Sequence, residues 1–369
     1  LFVPNSYQRS FEIFNGTLIL YLFLLSISSV KQMKIIVPMA GMGKRMRPHT
    51  LTTPKPLLPI AGKPIVYRLV EDIAKVCNQK LDEIAFIVHP SFGQETEKNL
   101  LAVAASLGAK GRICYQEEAL GTAHAIMCAQ ESLEGNVVVA FADTLFKADF
   151  VLDTSKDGII WVQKIEDPRQ FGVVKLNEQE EITDFVEKPQ EFISDLAIIG
   201  IYYFKDGSYL RKHLQYLLDN NIKDKGEYQL TNALENMKNE GTKFAAGQVS
   251  EWLDCGNKDA TVYTNQRYLH FLQEQNAPLR AKDVQIKNSI INEPVFIDAG
   301  VVIENSVVGP NVSIGKNTQI KASVIENSII QENSVLEGLH LSNAMIGNYV
   351  KYSKKPQDAS IGDFNVIKE

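Results

Sequence analysis

The segment Met39–Pro64, MAGMGKRMRPHTLTTPKPLLPIAGKP, comes directly after the short β-like run Lys34–Val37 and decides how the chain is read. Gly41 and Gly43 allow positive φ and put no side chain between backbone and ligand, so N–H groups can converge on an anion. Lys44, Arg45 and Arg47 add charge directly after them. Lys55 stands between Pro54 and Pro56, on backbone that the two rings stiffen. A loop of this kind at the end of a first strand belongs at the carboxyl edge of an α/β sheet, where ligands collect.

The rest of the first two thirds agrees. From Met33 to about Phe271, short β-branched runs alternate with helical stretches, the signature of βαβ units. Strands are predicted at Lys34–Val37, Glu83–His89, Arg112–Tyr115, Val137–Phe141, Gly158–Val162 and Ile198–Phe204. Helices are predicted at Pro64–Val76, Gln94–Ala105 and Thr122–Glu131, where apolar residues recur near every 3.6 positions. The fold class is therefore α/β, a doubly wound, Rossmann-like, mostly parallel sheet.

After about Asp283 the texture changes. Steps of six from Ile290 reach Phe296, Val302, Val308, Ile314 and Ile320, separated by Asn, Ser, Gly, Glu and Lys. Past Ile320 the column resumes out of phase through Val324, Ile330 and Leu336, which predicts an irregular turn or short loop there. A six-residue period suits neither one flat strand nor a helix. It suits a parallel β-helix of about 18 residues per coil whose flat faces each turn one aliphatic side chain inward, with roughly four coils in the available length. The expected division is 33–275, then 284–350, then a tail at 351–369.

Composition narrows the partners. A net charge of -6 supplies no basic field for wrapping nucleic acid. The four cysteines, Cys77, Cys114, Cys128 and Cys255, lack metal-type or redox-type spacing and read as reduced thiols, which suits a cytoplasmic setting. The six histidines form no HxH, HxxxH or Cys/His cluster, so a metal would be a hard cation on carboxylates. Residues 1–32 differ in character from the α/β pattern that begins at Met33: Leu18–Ile27 is apolar enough for a signal h-region but short for a membrane span. Met33 is the better start, which makes 1–32 a start-site artefact or an unstructured extension; a membrane partner is expected only if that extension is real.

Four further motifs carry chemistry. Gln116–Ala123, QEEALGTA, lies just past a predicted strand and opens a helix; an amide both donates and accepts, matching the imide edge of uracil or thymine, and Gly121 lets a base approach the backbone. Asp143 closes VVVAFAD and Asp254 lies in EWLDCGN, so two carboxylates at separate strand ends could share one Mg²⁺. In Val186-Glu187-Lys188-Pro189 an acceptor, Glu187, stands beside a cation, Lys188. His124 invites a catalytic reading, but it stands within the predicted helix Thr122–Glu131 and is read as a helix residue.

With these residues in view the chain resembles the sugar-phosphate nucleotidyltransferases (NDP-sugar pyrophosphorylases), especially glucose-1-phosphate thymidylyltransferases, with a left-handed β-helix of hexapeptide repeats appended. The resemblance runs from Met33 to Gln266 and rests on Gly41–Thr50 with Pro54-Lys55-Pro56, on LGTA, and on FGVV and EKP in order. It implies a nucleotide-diphospho-sugar transferase fold and Mg²⁺-dependent transfer from an NTP to a hexose 1-phosphate, dTTP and glucose 1-phosphate first, UTP or GTP otherwise. Arg45, Lys55 and Lys188 would be catalytic. Ala40, Gly41, Gly43, Lys44, Gln116, Gly121 and Thr122 would meet the nucleotide, and Gly172, Glu187, Gly200, Tyr202, Glu227 and Trp252 the sugar. Asp143 and Asp254 would bind the metal. Lys44, His49, Ala119 and Cys255 depart from residues common in the family. A homo-oligomer is expected. Acyl transfer in the β-helix, where His340 is the one histidine, and a non-catalytic nucleotide-sugar sensor are the rival readings.

Overall fold

The computed structural model describes residues 33–356, 358–364 and 366, so the apolar run Leu18–Ile27 lies outside the described residues. No helix among the described residues is long and apolar enough to cross a membrane.

The first unit is built on β1 (Met33–Pro38), α1 (Ile65–Cys77), β2 (Leu81–Val88), α2 (Gln94–Ser106), β3 (Lys110–Tyr115), α3 (Thr122–Met127) and β4 (Asn136–Ala140). β1 reads MKIIVP and buries nearly every side chain, as a central strand covered on both faces must. In α1 the buried Ile65, Val66, Leu69, Val70, Ile73 and Val76 keep to the helical period, and the helix stops at Asn78 in the left-handed region (φ 46°). α3 ends at Met127, shorter than the predicted span to Glu131, because the chain tightens into a 3-10 turn at Gln130–Ser132.

The chain continues through β5 (Thr144–Lys147), β6 (Gly158–Lys164), β7 (Gly172–Leu176), β8 (Ile182–Glu187), β9 (Leu196–Phe204), α4 (Gly207–Asp219), α5 (Leu230–Asn239), β10 (Phe244–Gln248), β11 (Glu251–Asp254) and α6 (Lys258–Glu274). The main sheet runs β8-β7-β9-β4-β1-β2-β3, with β6 also on β9 and β10 on β6. β4, β1, β2 and β3 are mutually parallel, which is the Rossmann-like half. β9 runs antiparallel to β4, β6 and β7, so the sheet as a whole is mixed. β5 and β11 form a separate two-stranded antiparallel ribbon.

The C-terminal unit is a left-handed parallel β-helix of three ladders, with 5, 4 and 4 strands. Its coil is shorter than the predicted 18 residues. Ile286 pairs with Ile303 and Ile303 with Ile320, a repeat of 17; Ile320 pairs with Leu336 and Leu336 with Tyr352, a repeat of 16. The inward column is Ile303, Val308, Ile314, Ile320, Ile325, Ile330 and Leu336, all essentially without solvent exposure. Its steps are five or six residues, so a strict six-residue count drifts off it. Ile290 is 61% exposed and Val324 43%, and Phe296 points out of the coil.

No loop is inserted after Ile320. The later coils lose one residue at the corner that Pro294 and Pro310 occupy in the earlier ones, so Val308 to Ile314 spans six positions and Ile325 to Ile330 five. Corners are turned by asparagines at positive φ, among them Asn288, Asn305, Asn311 and Asn327. Their amides stack: Asn288 Nδ2 donates to Asn305 Oδ1 at 2.8 Å and Asn311 Nδ2 to Asn327 Oδ1 at 2.9 Å.

The third ladder docks on the first unit. Phe296 lies where a Cβ on Gly62 would stand, 2.1 Å from its ring, and Ile329 joins the main core. Asn265 of α6, fully buried, accepts from Ala61 N at 2.8 Å and from Ser313 Oγ at 2.7 Å, which ties the post-Lys55 hairpin to the β-helix.

Candidate active site

A cleft of about 520 Å³ opens at the carboxyl ends of β1, β3 and β4. Its walls include Ala40, Gly41, Gly43, Lys44, Arg45, Lys55, Gln116, Gly121, Thr122, Asp143 and Glu227, so eleven of the predicted residues meet around one space. Met42, Pro56, Ala119, Ala125, Phe141 and Gly256 complete much of the lining.

The glycines in this wall do different work. A Cβ on Gly41 would meet nothing within 4 Å, so the bare backbone there serves the cleft and not the packing. Gly43 sits at φ 57°, and a Cβ on it would stand 2.9 Å from Lys55 Cβ, so the glycine lets the basic loop cross the Lys55 turn. Thr50 Oγ1 donates to Gly43 O at 2.8 Å and fixes that crossing. Gly121 (φ 118°), expected to admit a base, is also packed against the Tyr228 backbone, whose O would lie 2.4 Å from a Cβ. Tyr228 N donates to Leu120 O and Ala123 N to Tyr228 O, both at 2.9 Å, which brings Glu227 to the rim.

The two aspartates come together through the β5–β11 ribbon. Asp254 pairs with Thr144, and Cys255 N donates to Asp143 O at 2.9 Å, so the carboxylates lie at one end of the ribbon. Asp143 lies three residues beyond β4, in a turn that Gly200 supports: Phe141 N donates to Gly200 O at 3.0 Å and Thr144 Oγ1 to Ile199 O at 2.7 Å. Gly200 (φ 86°) is the centre of the irregular stretch of β9, so its place is under the Asp143 turn.

Lys55, buried, places Nζ 3.0 Å from Asp143 Oδ2. Gly256 N donates to Asp254 Oδ1 at 2.9 Å. Burial pushes the Asp254 carboxyl above its ordinary range, Asp143 adds to the rise, and Lys55 and Arg45 oppose it. Two carboxylates held this close, one of them buried, form a donor set that a hard divalent cation relieves. No group of three or more His, Cys, Asp or Glu side chains suited to a metal occurs among the described residues. A cation held by these two carboxylates would be completed by substrate phosphate oxygens and water, as Mg²⁺ prefers. Cys255 beside it is fully buried, and burial pushes its thiol up to about 12, consistent with an inert residue.

Gln116 is buried, with Nε2 3.2 Å from His124 Nδ1 and 3.5 Å from Gly121 O. The sequence presents His124 only as a helix residue; its contact with Gln116 comes from the single helical turn between Gly121 and His124. The Thr122 hydroxyl is engaged within the protein, accepting from Leu230 N at 2.8 Å and donating to Gln229 Oε1 at 3.2 Å.

Gly172, Glu187 and Lys188 form a second cluster. Gly172 and Glu187 are register partners on β7 and β8, and Glu187 Oε1 lies 3.4 Å from Lys188 Nζ. Thr231 Oγ1, at the start of α5, donates to Glu187 Oε2 at 3.3 Å, a contact that no motif in the sequence signals. Tyr202 is buried, edge-on to Phe141, and its phenol is pushed up first by burial and then by the Glu187 and Asp143 carboxylates. The ring thus stands between the two clusters. Trp252 packs edge-on against Phe171 at 4.9 Å, and its buried Nε1 has no partner among the described residues.

Comparisons with known proteins identify the family. A family model described as nucleotidyl transferase matches residues 34–270, and one described as GlmU-like, C-terminal hexapeptide, matches 280–343. The chain belongs to the nucleotidyl transferase family. It is 28% identical over 267 residues to the bifunctional protein GlmU of Methanococcus vannielii, covering 71% of this chain and 61% of that protein. The low-salt glycan biosynthesis nucleotidyltransferase Agl11 of Haloferax volcanii is 30% identical over 64% of this chain and 66% of its own length. The mannose-1-phosphate guanylyltransferase catalytic subunit beta of Drosophila melanogaster is 27% identical over 71% of this chain and 69% of its own. The chain thus spans about three fifths of the GlmU relative it matches. Among solved structures, a Bacillus anthracis protein assigned as a glucose-1-phosphate thymidylyltransferase, in complex with sucrose, superposes with a TM-score of 0.54 at 25% identity, over 63% of this chain and 94% of that one.

Proposed function

We propose that the protein transfers a nucleotidyl group from an NTP to a hexose 1-phosphate, releasing pyrophosphate, with dTTP and glucose 1-phosphate as the first pair. The observation that carries this is the gathering of the glycine-basic loop, Gln116 and the Lys55–Asp143 pair around one cleft. We assign the reaction to residues 33–275 and a scaffold role to 284–350, through which self-association would run.

In this reading a sugar phosphate oxygen attacks the α-phosphorus in line, the bridging P–O bond breaks, and the electron pair leaves on pyrophosphate. Gly41 and Gly43 offer backbone N–H groups to the triphosphate, and Arg45 takes the charge that develops on it. Lys55 and Lys188 orient the sugar phosphate; Glu187 holds sugar hydroxyls, with Glu227 at the rim. Asp143 and Asp254 would hold Mg²⁺, which when bound neutralises charge on the triphosphate oxygens. No proton has to be removed from the nucleophile, so the site needs no base.

The guanylyltransferase and the GlmU relatives favour a second pairing, with another nucleotide or sugar on the same machinery. A matrix of five NTPs against glucose, mannose, galactose and glucosamine 1-phosphates, scored by pyrophosphate release, decides between them. Tight nucleotide-sugar binding with no pyrophosphate from any pair would replace the enzyme reading by a sensor.

A further inference from the structure

The amide of Gln116 can be oriented from its neighbours. Gly121 O is an acceptor only, so the amide atom 3.5 Å from it is the NH₂ group. The same NH₂ lies 3.2 Å from His124 Nδ1, which must then be the unprotonated ring nitrogen, with the proton on Nε2. Both hydrogens of the amide are thereby turned toward protein acceptors. Oε1 is left without a protein partner among the described residues, on a side chain that lines the cleft.

We propose that His124 is a positioning residue for base selection, holding Gln116 so that its oxygen receives an imino N–H from the base, as uracil, thymine or guanine can supply and adenine or cytosine cannot. The inference rests on the reading of the cleft as a nucleotide site. An amide free to rotate would present a donor as readily as an acceptor and would choose poorly; one whose donors are occupied presents a fixed acceptor. Burial lowers the proton affinity of His124 while Glu118 opposes that shift, so the ring stays neutral near pH 7 and keeps its acceptor.

The test exploits two substitutions of similar size. In His124→Asn, Oδ1 falls where Nδ1 stood and can accept from Gln116; in His124→Leu a methyl falls there. Binding of dTTP, UTP, GTP, CTP and ATP to the full chain is measured by calorimetry with Mg²⁺, beside the KM for each sugar 1-phosphate. The expected result is that His124→Leu weakens its preferred nucleotide about tenfold and narrows its preference over CTP by a similar factor. His124→Asn restores most of both, and the KM for sugar 1-phosphate stays put. Wild-type base preference in His124→Leu overturns the proposal, as does equal loss in both variants, which would mark a packing role. If the wild-type chain binds none of the five nucleotides, the nucleotide reading itself fails, an outcome distinct from a preference that ignores His124. Should His124→Leu not fold, His124→Asn alone decides: a lost preference in a folded Asn variant sinks the idea.

Discussion

The two units of this chain solve opposite problems with the same backbone. In the β-helix every coil repeats its neighbour, so most ladder positions are filled by residues of one kind: an aliphatic inward, an Asn at most corners, a Ser or Thr bonding across coils. In the sheet unit the residues that matter stand where regularity fails. Asp143 lies in a turn past β4, Gly200 in the irregular part of β9, Lys55 in a proline-bounded turn and Gln116 just past β3. Uniform structure supplies rigidity, and interrupted structure supplies convergent side chains.

The sharpest way to break that contrast is to alter the cleft. Arg45→Ala and Asp143→Ala are each expected to cut pyrophosphate release by about 10²–10³-fold while the melting temperature changes little. Asp254→Asn should lose activity to a similar degree and yet melt higher without metal. The sign comes from its raised proton affinity: the fold disfavours the ionised carboxylate, so its contribution to stability is full below the ordinary carboxylate range and lost as pH rises through the higher folded value. A neutral amide removes that loss and keeps the Gly256 N–H bond. Near-normal turnover in all three variants would place the chemistry elsewhere.

Core truncation in the β-helix should do the reverse. Leu336→Ala or Ile303→Ala leaves a cavity in a column that has no slack, at a cost of about 2–5 kcal/mol. Denaturant unfolding monitored by hydrogen exchange in the ladders would register it, and kcat measured below the transition should stay within about twofold. A large fall in kcat with an intact cleft would mean that the scaffold and the site are one cooperative body.

The same contrast governs what the sequence disclosed. The Gly41–Lys55 loop, Gln116 and the strand-end aspartates were legible because anion binding and metal binding restrict residue type at short spacing. The meeting of Asp143 with Asp254 was expected too, but the ribbon pairing across more than a hundred residues that brings it about was not legible. Gly121 and Gly200 read as ligand glycines; only tertiary structure shows Tyr228 against the one and the Asp143 turn over the other. In the β-helix the repeat announced the fold at once. The coil length, 17 and then 16 residues, falls short of the 18 that three six-residue steps imply, because valine and isoleucine occur on outward positions too, so Ile290 and Val324 passed for core. Strands β7, β8 and β10 were missed for a like reason: they are five or six residues long and partly exposed, with little apolar contrast.

A smaller effect is expected at the seam. Asn265 offers one oxygen to both units, so Asn265→Ala strands the buried Ala61 N–H and the Ser313 hydroxyl, costing about 1–3 kcal/mol. Because Ala61 lies just beyond the Lys55 turn, the KM for sugar 1-phosphate should rise severalfold while the KM for NTP holds. Parallel changes in both constants would show that the seam acts on overall stability alone.

The smallest expected effect separates the units by acid. The buried polar side chains of the β-helix are Ser306, Asn311, Ser313, Thr318, Ser323, Ser328, Gln331 and Ser334, none of which titrates. The sheet unit buries Lys55, Arg68, Asp72, Glu83 and His213. Burial lowers the proton affinity of His213, Lys212 adds to that, and Glu240, 3.4 Å from Nε2, opposes it; the Tyr209 ring packs edge-on. A histidine held below its ordinary value stabilises fully above pH about 6.5, and that contribution is lost as pH falls through the lower folded value. Both tryptophans, Trp161 and Trp252, lie in the sheet unit, so their fluorescence reports on it alone. Between pH 7 and 5 the tryptophan-monitored midpoint in urea should fall while exchange protection in the β-helix ladders holds, and His213→Phe should flatten the fall. Equal acid sensitivity by both probes would mean that the seam at Asn265 couples the units more strongly than their separate cores divide them.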